Sequence, residues 1–345
     1  VKISMLLSYA GGFKEAVAEV QELEKAGLDK IWVPEAYSFD APSAMGYLAS
    51  QTERVTIASG ILPIYSRTPS LLAMTAAGID YLSDGRCMLG LGASGPQVIE
   101  GFHGVKYDAP IGRTREIVEI CRKIWAREDK LQHSGKYYNM PLPEGEGTGL
   151  GKPLKIITHP PRPSIPILLA SLGPKNVELT AEIADGWLPT LFVPDKASMV
   201  WGDDLERGYA KRDASLGTMD IMAGGMLAIG KQDEVAAYRD YGRGTTALYV
   251  GGMGAKGKNF YNNVFSRYGW EAEAHNIQEL YLSGQKKEAE AAIPTDFLEQ
   301  SSLIGDEGYV KERLEAYTEA GVTYLNVSPV GPDPVGTIRK LRELL

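Results

Sequence analysis

Residues 13–33 read FKEAVAEVQELEKAGLDKIWV and hold a helix, a stop and a strand in succession. From Phe13 onward, apolar residues recur every three or four positions with charged residues between them, which is the spacing of an amphipathic helix. Gly27 follows as the expected helix end. The uninterrupted apolar run at 31–33 predicts a strand buried on both faces. With a second apolar run at 3–7 before it, this stretch predicts one strand-helix-strand unit.

The same sequence pattern, a helix end followed by glycine and a strand, recurs along the chain. AGLDKIWV at 26–33 is echoed by AGVTYLNV at 320–327 and, more weakly, by ADGWL at 184–188. Further strands are expected at 56–60, 87–91, 166–170 and within 219–229, and further helices at 69–82, 111–127, 176–183, 232–242 and 306–320. About eight strands spread over the whole length favour an α/β fold of the (β/α)8 TIM barrel type, as a single domain over residues 1–345. A doubly wound open parallel sheet is the alternative, because the sequence does not report closure.

Two stretches do not follow this alternation of strands and helices. Residues from about 130 to 165 are rich in Gly, Pro and Tyr and predict an inserted loop or hairpin. Residues from about 251 to 300 begin with GGMGAKGK and continue as irregular helical sequence. We expect both insertions to leave the barrel at the carboxyl ends of strands, where ligands bind in this architecture.

Composition restricts the function. Glycine accounts for 39 of 345 residues, above the average of roughly 7%, and glycine is used where backbone turns tightly or approaches a ligand. The net charge of -8 argues against a nucleic-acid or anionic-membrane surface. Two isolated cysteines, an apolar run at 3–7 too short for a signal peptide and no membrane-length apolar stretch predict a reduced, cytoplasmic protein. A homodimer is the commonest state for such an enzyme.

Common catalytic motifs are excluded by their context. GLGASG at 90–95 matches the dinucleotide pattern G-x-G-x-x-G, but neither a long helix nor the required acidic residue follows, so a Rossmann site is not expected. A glycine-rich turn remains, which either faces a ligand with its N–H groups or uses glycine for geometry alone. The four histidines lack metal-binding spacing, so no metal site is predicted.

Two strand ends are candidates for binding or catalysis. In PILLASLGPKN at 166–176 a buried strand turns into a helix with Pro174 at its first position. Its free N–H groups and Lys175 suit an anion, or the segment is simply a well-capped helix. Glu35 follows the second strand, where barrel enzymes carry catalytic groups, or it is an exposed loop residue.

Together these segments resemble the luciferase-like family of flavin and deazaflavin oxidoreductases, and more narrowly its coenzyme F420-dependent branch. The segments that carry the resemblance are ASGILPI at 58–64 with RTP at 67–69, LSDGR at 82–86 with LGLG at 89–92, ASLGPK at 170–175 with EIADG at 182–186, and AGV at 320–322. SGPQV at 94–98 with GFHG at 101–104 is similar to a mycobacterial-type subgroup.

The resemblance implies a barrel that holds a deazaflavin in its carboxyl-end mouth. It implies a cis peptide bond between Gly60 and Ile61, whose bulge backs the ring. Further implied cofactor contacts are Glu35, Ala36, Gly92, Ser94, the backbone of Ala170, Ser171, Leu172 and Gly173, and Lys175 beside the phosphate. Arg86 is expected to be a structural ion-pair partner, and Lys256 and Lys258 in the late loop either hold the anionic tail or are solvated.

One departure concerns the proton. Sugar-phosphate dehydrogenases of this family carry an Asp-His pair where this chain has Glu35-Ala36, which disfavours a glucose-phosphate substrate. The candidates for proton transfer are Glu35, His103 and Glu100. The implied reaction is hydride transfer between coenzyme F420 and a small-molecule alcohol, carbonyl or activated alkene. The alternatives are an FMN-dependent monooxygenase of the same fold and a non-catalytic deazaflavin-binding protein.

Overall fold

The computed structural model describes residues 1–8, 12–254 and 256–345. Residues 9–11 and Ala255, which fall in the first loop and the late insertion of the sequence interpretation, lie outside the described residues. The strands in the described ranges are β1 (Lys2–Leu6), β2 (Lys30–Val33), β3 (Thr56–Ser59), β4 (Leu62–Pro63), β5 (Cys87–Gly92), β6 (His133–Ser134), β7 (Asn139–Met140), β8 (Ile167–Leu169), β9 (Gly186–Trp187), β10 (Asp220–Ala223), β11 (Met226–Ile229), β12 (Leu303–Gly305), β13 (Tyr324–Asn326) and β14 (Ser328–Pro329).

The helices alternate with these strands. They are α1 (Phe13–Ala26), α2 (Ala41–Gln51), α3 (Pro69–Leu82), α4 (Pro96–Gly101), α5 (Pro110–Ala126), α6 (Pro174–Ile183), α7 (Ala197–Tyr209), α8 (Gln232–Val235), α9 (Gly242–Ala247), α10 (Phe260–Arg267), α11 (Glu271–Leu282), α12 (Lys286–Ala291), α13 (Thr295–Gln300), α14 (Glu307–Glu319) and α15 (Pro334–Leu344). Among the described helices, none combines the length and the apolarity that crossing a bilayer requires.

Eight parallel strands close into a barrel. Their order is β3-β2-β1-β13-β10-β9-β8-β5, and β5 pairs back onto β3. The predicted TIM barrel is therefore confirmed, and the open doubly wound sheet is wrong. Beyond β3 the chain bulges and resumes as β4, which pairs with the last residues of β5. β4 therefore extends the carboxyl end of β3 along β5.

The interior of the barrel is filled by side chains from alternate strand positions. They are Trp32, Ala58, Met88, Leu168, Met222 and Tyr324. Lys30 also lies in the interior, at the start of β2 and one position before the predicted strand at 31–33. Its ammonium lies 3.4 Å from the ring centroid of Tyr324 and is fully buried.

Local signals set several helix and strand ends. The predicted helix at 69–82 agrees with α3, because Thr68 caps its first turn by accepting a hydrogen bond from Leu71 N at 3.2 Å. The predicted strand region at 219–229 is two strands instead. A Cβ on Gly225 would lie 1.9 Å from a backbone oxygen, so the chain passes between β10 and β11 where only glycine fits. β11 then joins β12 and β14 in a small parallel sheet.

The first insertion is a hairpin, but it does not leave the barrel where we expected. β6 and β7 pair antiparallel. They follow α5 and precede β8, so the insertion starts on the amino-terminal side of the barrel and the expectation of a carboxyl-end origin is wrong. Its turn then lies along α5, since Tyr137 packs on Gly112 in the first helical turn. The hairpin thereby reaches the carboxyl side after all.

The second insertion does leave from the carboxyl side. It follows β10 and β11 and holds α10 to α13 before β12 returns the chain to the small sheet. The predicted helix at 232–242 is shorter than expected, because α8 ends at Val235 and a 3₁₀ segment, Ala236–Tyr241, follows.

Candidate functional site

The bulge after β3 brings three predicted residues together. The Gly60–Ile61 peptide bond is cis, as the resemblance implied. A Cβ on Gly92 would lie 2.9 Å from the Ile61 side chain and 3.6 Å from the Cβ of Ala170. Ile61, Gly92 and Ala170 come from three neighbouring strand ends, so they form a continuous surface at the carboxyl edge of β3, β5 and β8.

A second glycine of β5, Gly90, is required for the close packing of β5 against β3. A Cβ on Gly90 would lie 1.8 Å from the backbone oxygen of Ser59. The Ser59 hydroxyl accepts from Gly90 N and donates to Gly90 O, both at 2.8 Å. The bulge is therefore held tightly against β5. Part of the glycine excess of the sequence serves this close approach.

The loop from Ser171 to Gly173 presents N–H groups. Its carbonyl oxygens are occupied: Trp187 donates to Ser171 O and Trp201 donates to Leu172 O, both at 3.0 Å. The Ser171 hydroxyl is buried and bonds Thr180 at 2.8 Å. In the described part of the chain, no acceptor is recorded for the N–H groups of Leu172 and Gly173.

The start of α6 adds positive potential to this loop. The helix begins at Pro174, and its N-terminus follows Gly173 directly. Lys175 is exposed and has no ion-pair partner among the described residues. Backbone N–H groups, a helix N-terminus and a free ammonium together suit a phosphate or carboxylate.

A cavity of about 940 Å³ adjoins this loop. Leu172, Gly173 and Pro174 form one wall, and residues of α10 and α11 form the other. Phe260 covers Gly173, where a Cβ would lie 3.3 Å from its ring. The cavity thus includes two predicted cofactor residues, whereas Gly60, Ile61 and Gly92 do not line it. Sequence reasoning missed Phe260, since nothing in its spacing links it to a turn 87 positions earlier.

Glu35 is held by three donors. Arg67 binds its carboxylate with two hydrogen bonds of 2.5 and 2.8 Å, and Ala41 N donates at 2.8 Å. The side chains are only 13% (Arg67) and 7% (Glu35) exposed. The pair anchors α2 to the loop before α3, a structural role that the sequence did not reveal. Ala36 lies beside it in an exposed loop.

The other two proton candidates lie around α4. Glu100 is exposed and accepts from Tyr107 N at 3.1 Å, and the Tyr107 hydroxyl reaches Ser94 O at 3.4 Å. Ser94 has a left-handed backbone, with a φ of 57°. His103 follows α4, and its Nε2 is buried with no hydrogen-bond partner among the described residues. No hydrogen bond or ion pair among the described residues joins Glu35 to His103 or to Glu100.

An aromatic cluster closes one side of the mouth. The guanidinium of Arg113 lies 6.0, 5.4 and 5.6 Å from the ring centroids of Tyr65, Tyr137 and Tyr138. Burial raises the pKa of the Tyr65 hydroxyl, which therefore stays protonated and donates to Asp108 O at 2.7 Å. The hairpin insertion thus contributes to the wall of the mouth.

One expectation about a cation needs correction. Arg86 is structural, but its recorded partners are not carboxylates: it donates to the backbone oxygens of Ala49, Thr52, Val55 and Ser83. Ala49 and Thr52 lie at the end of α2, Val55 directly precedes β3 and Ser83 follows α3. Arg86 therefore ties the two helix ends to the start of β3. In the late loop, Lys256 is paired with Glu279 at 3.1 Å.

The chain is similar to known proteins along nearly its whole length. Residues 2–324 match the luciferase-like monooxygenase family. The chain is 38% identical, over 100% of its length and 98% of the relative's, to Rv3520c of Mycobacterium tuberculosis, which is provisionally named a coenzyme F420-dependent oxidoreductase. It is 27% identical to a 5,10-methylenetetrahydromethanopterin reductase of Archaeoglobus fulgidus, over 93% of this chain and 91% of the relative.

The fold is shared with a solved structure. The coenzyme F420-dependent tetrahydromethanopterin reductase of Methanopyrus kandleri superimposes with a TM-score of 0.79 at 22% identity, covering 100% of this chain and 98% of that one.

Proposed function

Because the chain belongs to the luciferase-like monooxygenase family, we propose that it is a coenzyme F420-dependent oxidoreductase. It would transfer a hydride between the deazaflavin and a small organic alcohol, carbonyl or activated alkene. The observation that carries the proposal is the meeting of Ile61, Gly92 and Ala170 at the carboxyl end of the barrel. The names of the relatives, two of which mention F420, support the choice of cofactor.

The residues present fit such a cofactor. Ile61 projects from the bulge beside two small residues, so a flat ring has an apolar surface to lie against without a competing side chain. The N–H groups of Leu172 and Gly173 and the ammonium of Lys175 would hold the phosphate arm. When bound, a deazaflavin accepts or supplies a hydride, and the protein positions the substrate carbon against it.

One proton must also move, and His103 is the residue we assign to it. Its Nε2 has no hydrogen-bond partner among the described residues, whereas Glu35 is bound by Arg67 and the Glu100 carboxylate by a backbone N–H. An imidazole nitrogen without a partner would exchange a proton with a substrate oxygen that enters far enough to reach it. Glu35 would then support the mouth rather than act on the substrate.

The test is a pair of cofactor titrations on the purified protein. We expect binding of coenzyme F420 at micromolar concentration, tighter than binding of FMN, followed by a substrate-induced change of the deazaflavin absorbance. No binding of F420 would refute the proposal, and tighter FMN binding would favour the monooxygenase. Binding without turnover across alcohols, carbonyls and alkenes would identify a deazaflavin-binding protein. Sedimentation of the same sample tests the expected homodimer.

A further inference from the structure

Exposed aromatic rings stand at the mouth of the barrel. Tyr37 and Phe39 follow β2, and Phe102 follows α4 after β5, so all three belong to the carboxyl face. They are 67%, 81% and 65% exposed. The rings of Tyr37 and Phe102 approach each other to 6.1 Å between centroids, although 65 residues separate them. Large exposed apolar groups that meet in this way mark a binding surface.

Each cation around these rings already has a carboxylate within ion-pair distance, although Lys106 and Arg113 share one. Residues 34–40 and 93–109 are all described, and Lys106 is the one Lys or Arg they contain. Lys106 lies 3.6 Å from Asp108, which also binds Arg113 at 2.8 Å. On the other side Arg67 is bound to Glu35. A phosphate or carboxylate on the substrate would therefore have to compete with Asp108 or Glu35 for these cations, which reduces the gain that offsets its desolvation.

One polar group accompanies the rings. His103 packs edge-on against Phe102, with 5.2 Å between ring centroids, and its Nε2 has no partner among the described residues. A ligand that combines an apolar body with a single carbonyl or hydroxyl oxygen would satisfy both features. The body would cover the rings, and the oxygen would pair with the imidazole.

We infer that the substrate is an aromatic or extended apolar ketone, aldehyde, alcohol or conjugated alkene, not a sugar or a phosphate ester. The inference rests on the proposed function, which supplies the hydride. With the reduced deazaflavin as hydride donor, a carbonyl carbon would gain the hydride and its oxygen a proton, and the deazaflavin would be oxidised. A conjugated alkene would gain the hydride at one alkene carbon and the proton at the other. The reverse reaction would oxidise the alcohol. Tyr37 and Phe102 determine the specificity.

The test compares two probes on cofactor-free protein by calorimetry: 4-phenyl-2-butanone, an aromatic ketone, and glucose 6-phosphate. We expect the native protein to bind the ketone and not the sugar phosphate. The double variant Tyr37→Ser, Phe102→Ser should bind the ketone about tenfold more weakly. Tyr81→Ser is the matched control, since Tyr81 is 71% exposed at the far end of α3. Circular dichroism melting confirms that the variants fold.

The two proposals fail in different ways. Equal ketone binding by the native protein and the double variant, or tighter binding of glucose 6-phosphate, would overturn this inference. So would a change of oligomeric state in the double variant, because the rings would then be a subunit contact. Failure of the native protein to bind coenzyme F420 in a separate titration would instead overturn the proposed function. Bound F420 with faster reduction of the ketone than of polar carbonyls supports both.

Discussion

Arg67 and Glu35 form a two-pronged ion pair, with hydrogen bonds of 2.5 and 2.8 Å between nearly buried side chains. The pair joins the loop after β2 to the loop before α3. Both loops follow strands at the carboxyl side of the barrel, so the ion pair ties together two segments of the mouth. We expect this ion pair to contribute mainly to the stability of the fold.

Replacing Glu35 by Gln should destabilise the fold by about 2–4 kcal/mol, because Arg67 would keep its charge without a compensating carboxylate in a nearly buried site. Denaturant unfolding measures the change. Glu22→Gln is the control: Glu22 pairs with Lys25 at 2.7 Å but is 57% exposed, so a change within about 0.5 kcal/mol is expected. Equal effects of the two substitutions would contradict the structural role of Glu35.

Three glycines should respond to alanine in three different ways. Gly90→Ala puts a methyl group 1.8 Å from the Ser59 carbonyl oxygen, and we expect a loss of about 4 kcal/mol or more. Gly92→Ala meets the Ile61 side chain at 2.9 Å, which can shift, so a loss of about 1–3 kcal/mol and weaker F420 binding are expected.

Gly78 is the control, for which we expect the opposite change in stability. It lies in α3 with nothing within 4 Å of its Cβ position. Alanine there should stabilise the protein by about 0.5–1 kcal/mol, because it restricts the unfolded chain. Thermal unfolding of the three variants ranks them, and a Gly92 variant that binds F420 like the native protein would show that the Ile61 surface does not contact the ring.

The fold was predictable from the sequence to the extent that its signals are local. The bounds of α3 follow from Thr68 and Pro69, and the repeated helix-glycine-strand phrase predicts the barrel. α2 was not predicted, because APSAMGYLASQ at 41–51 has no charged residue to mark a polar face. Its start depends on Asp40, whose side chain accepts from Ser43 N.

The candidate site was predictable only where a turn lies within one segment. The cis bond and the Ser171–Gly173 turn belong to short motifs that the family resemblance carries. The partner of Glu35 stands 32 residues away, and the tyrosine that packs on Gly112 stands 25 residues away. Such pairs depend on how strands and helices are arranged in space, which spacing along the chain does not encode.

Lys30 should make stability depend on pH. Burial lowers the pKa of its ammonium to about 7, with Lys2 adding to the effect and Asp220 and Asp29 opposing it. The folded protein therefore loses this proton near pH 7, whereas the unfolded chain keeps it until about pH 10.5. Because the unfolded state binds more protons between these values, stability should rise with pH across that window.

The variant Lys30→Met isolates this contribution. It removes an amine that has no hydrogen-bond partner among the described residues, so a gain of about 1–3 kcal/mol near pH 7 is expected. The gain should shrink as pH rises from 7 towards 10.5, since the free-energy cost of releasing the Lys30 proton on folding falls over that range. Denaturant unfolding at both pH values measures the gain. A gain that does not change with pH would show that Lys30 is not the group that titrates.

His103→Ala should lower kcat about a hundredfold while leaving the affinity for F420 unchanged, if the imidazole carries the proton. His159→Ala is the control, because His159 is exposed in the first insertion and has no hydrogen bond or ion pair with the described residues. Single-turnover absorbance measurements separate hydride transfer from cofactor binding. An unchanged kcat in the His103 variant would return the proton to Glu100 or Glu35, and Glu100→Gln would then be measured in the same way.

Lys175→Ala should weaken F420 binding about tenfold and make it less sensitive to salt, because an exposed ammonium beside the α6 N-terminus would attract the phosphate arm through a screened interaction. Quenching of deazaflavin fluorescence at low and high ionic strength measures both effects. Lys152→Ala is the matched control, since Lys152 is an exposed lysine of the first insertion with no ion pair recorded among the described residues. If both variants bound F420 like the native protein, the N–H groups of Leu172 and Gly173 would hold the phosphate without help from Lys175.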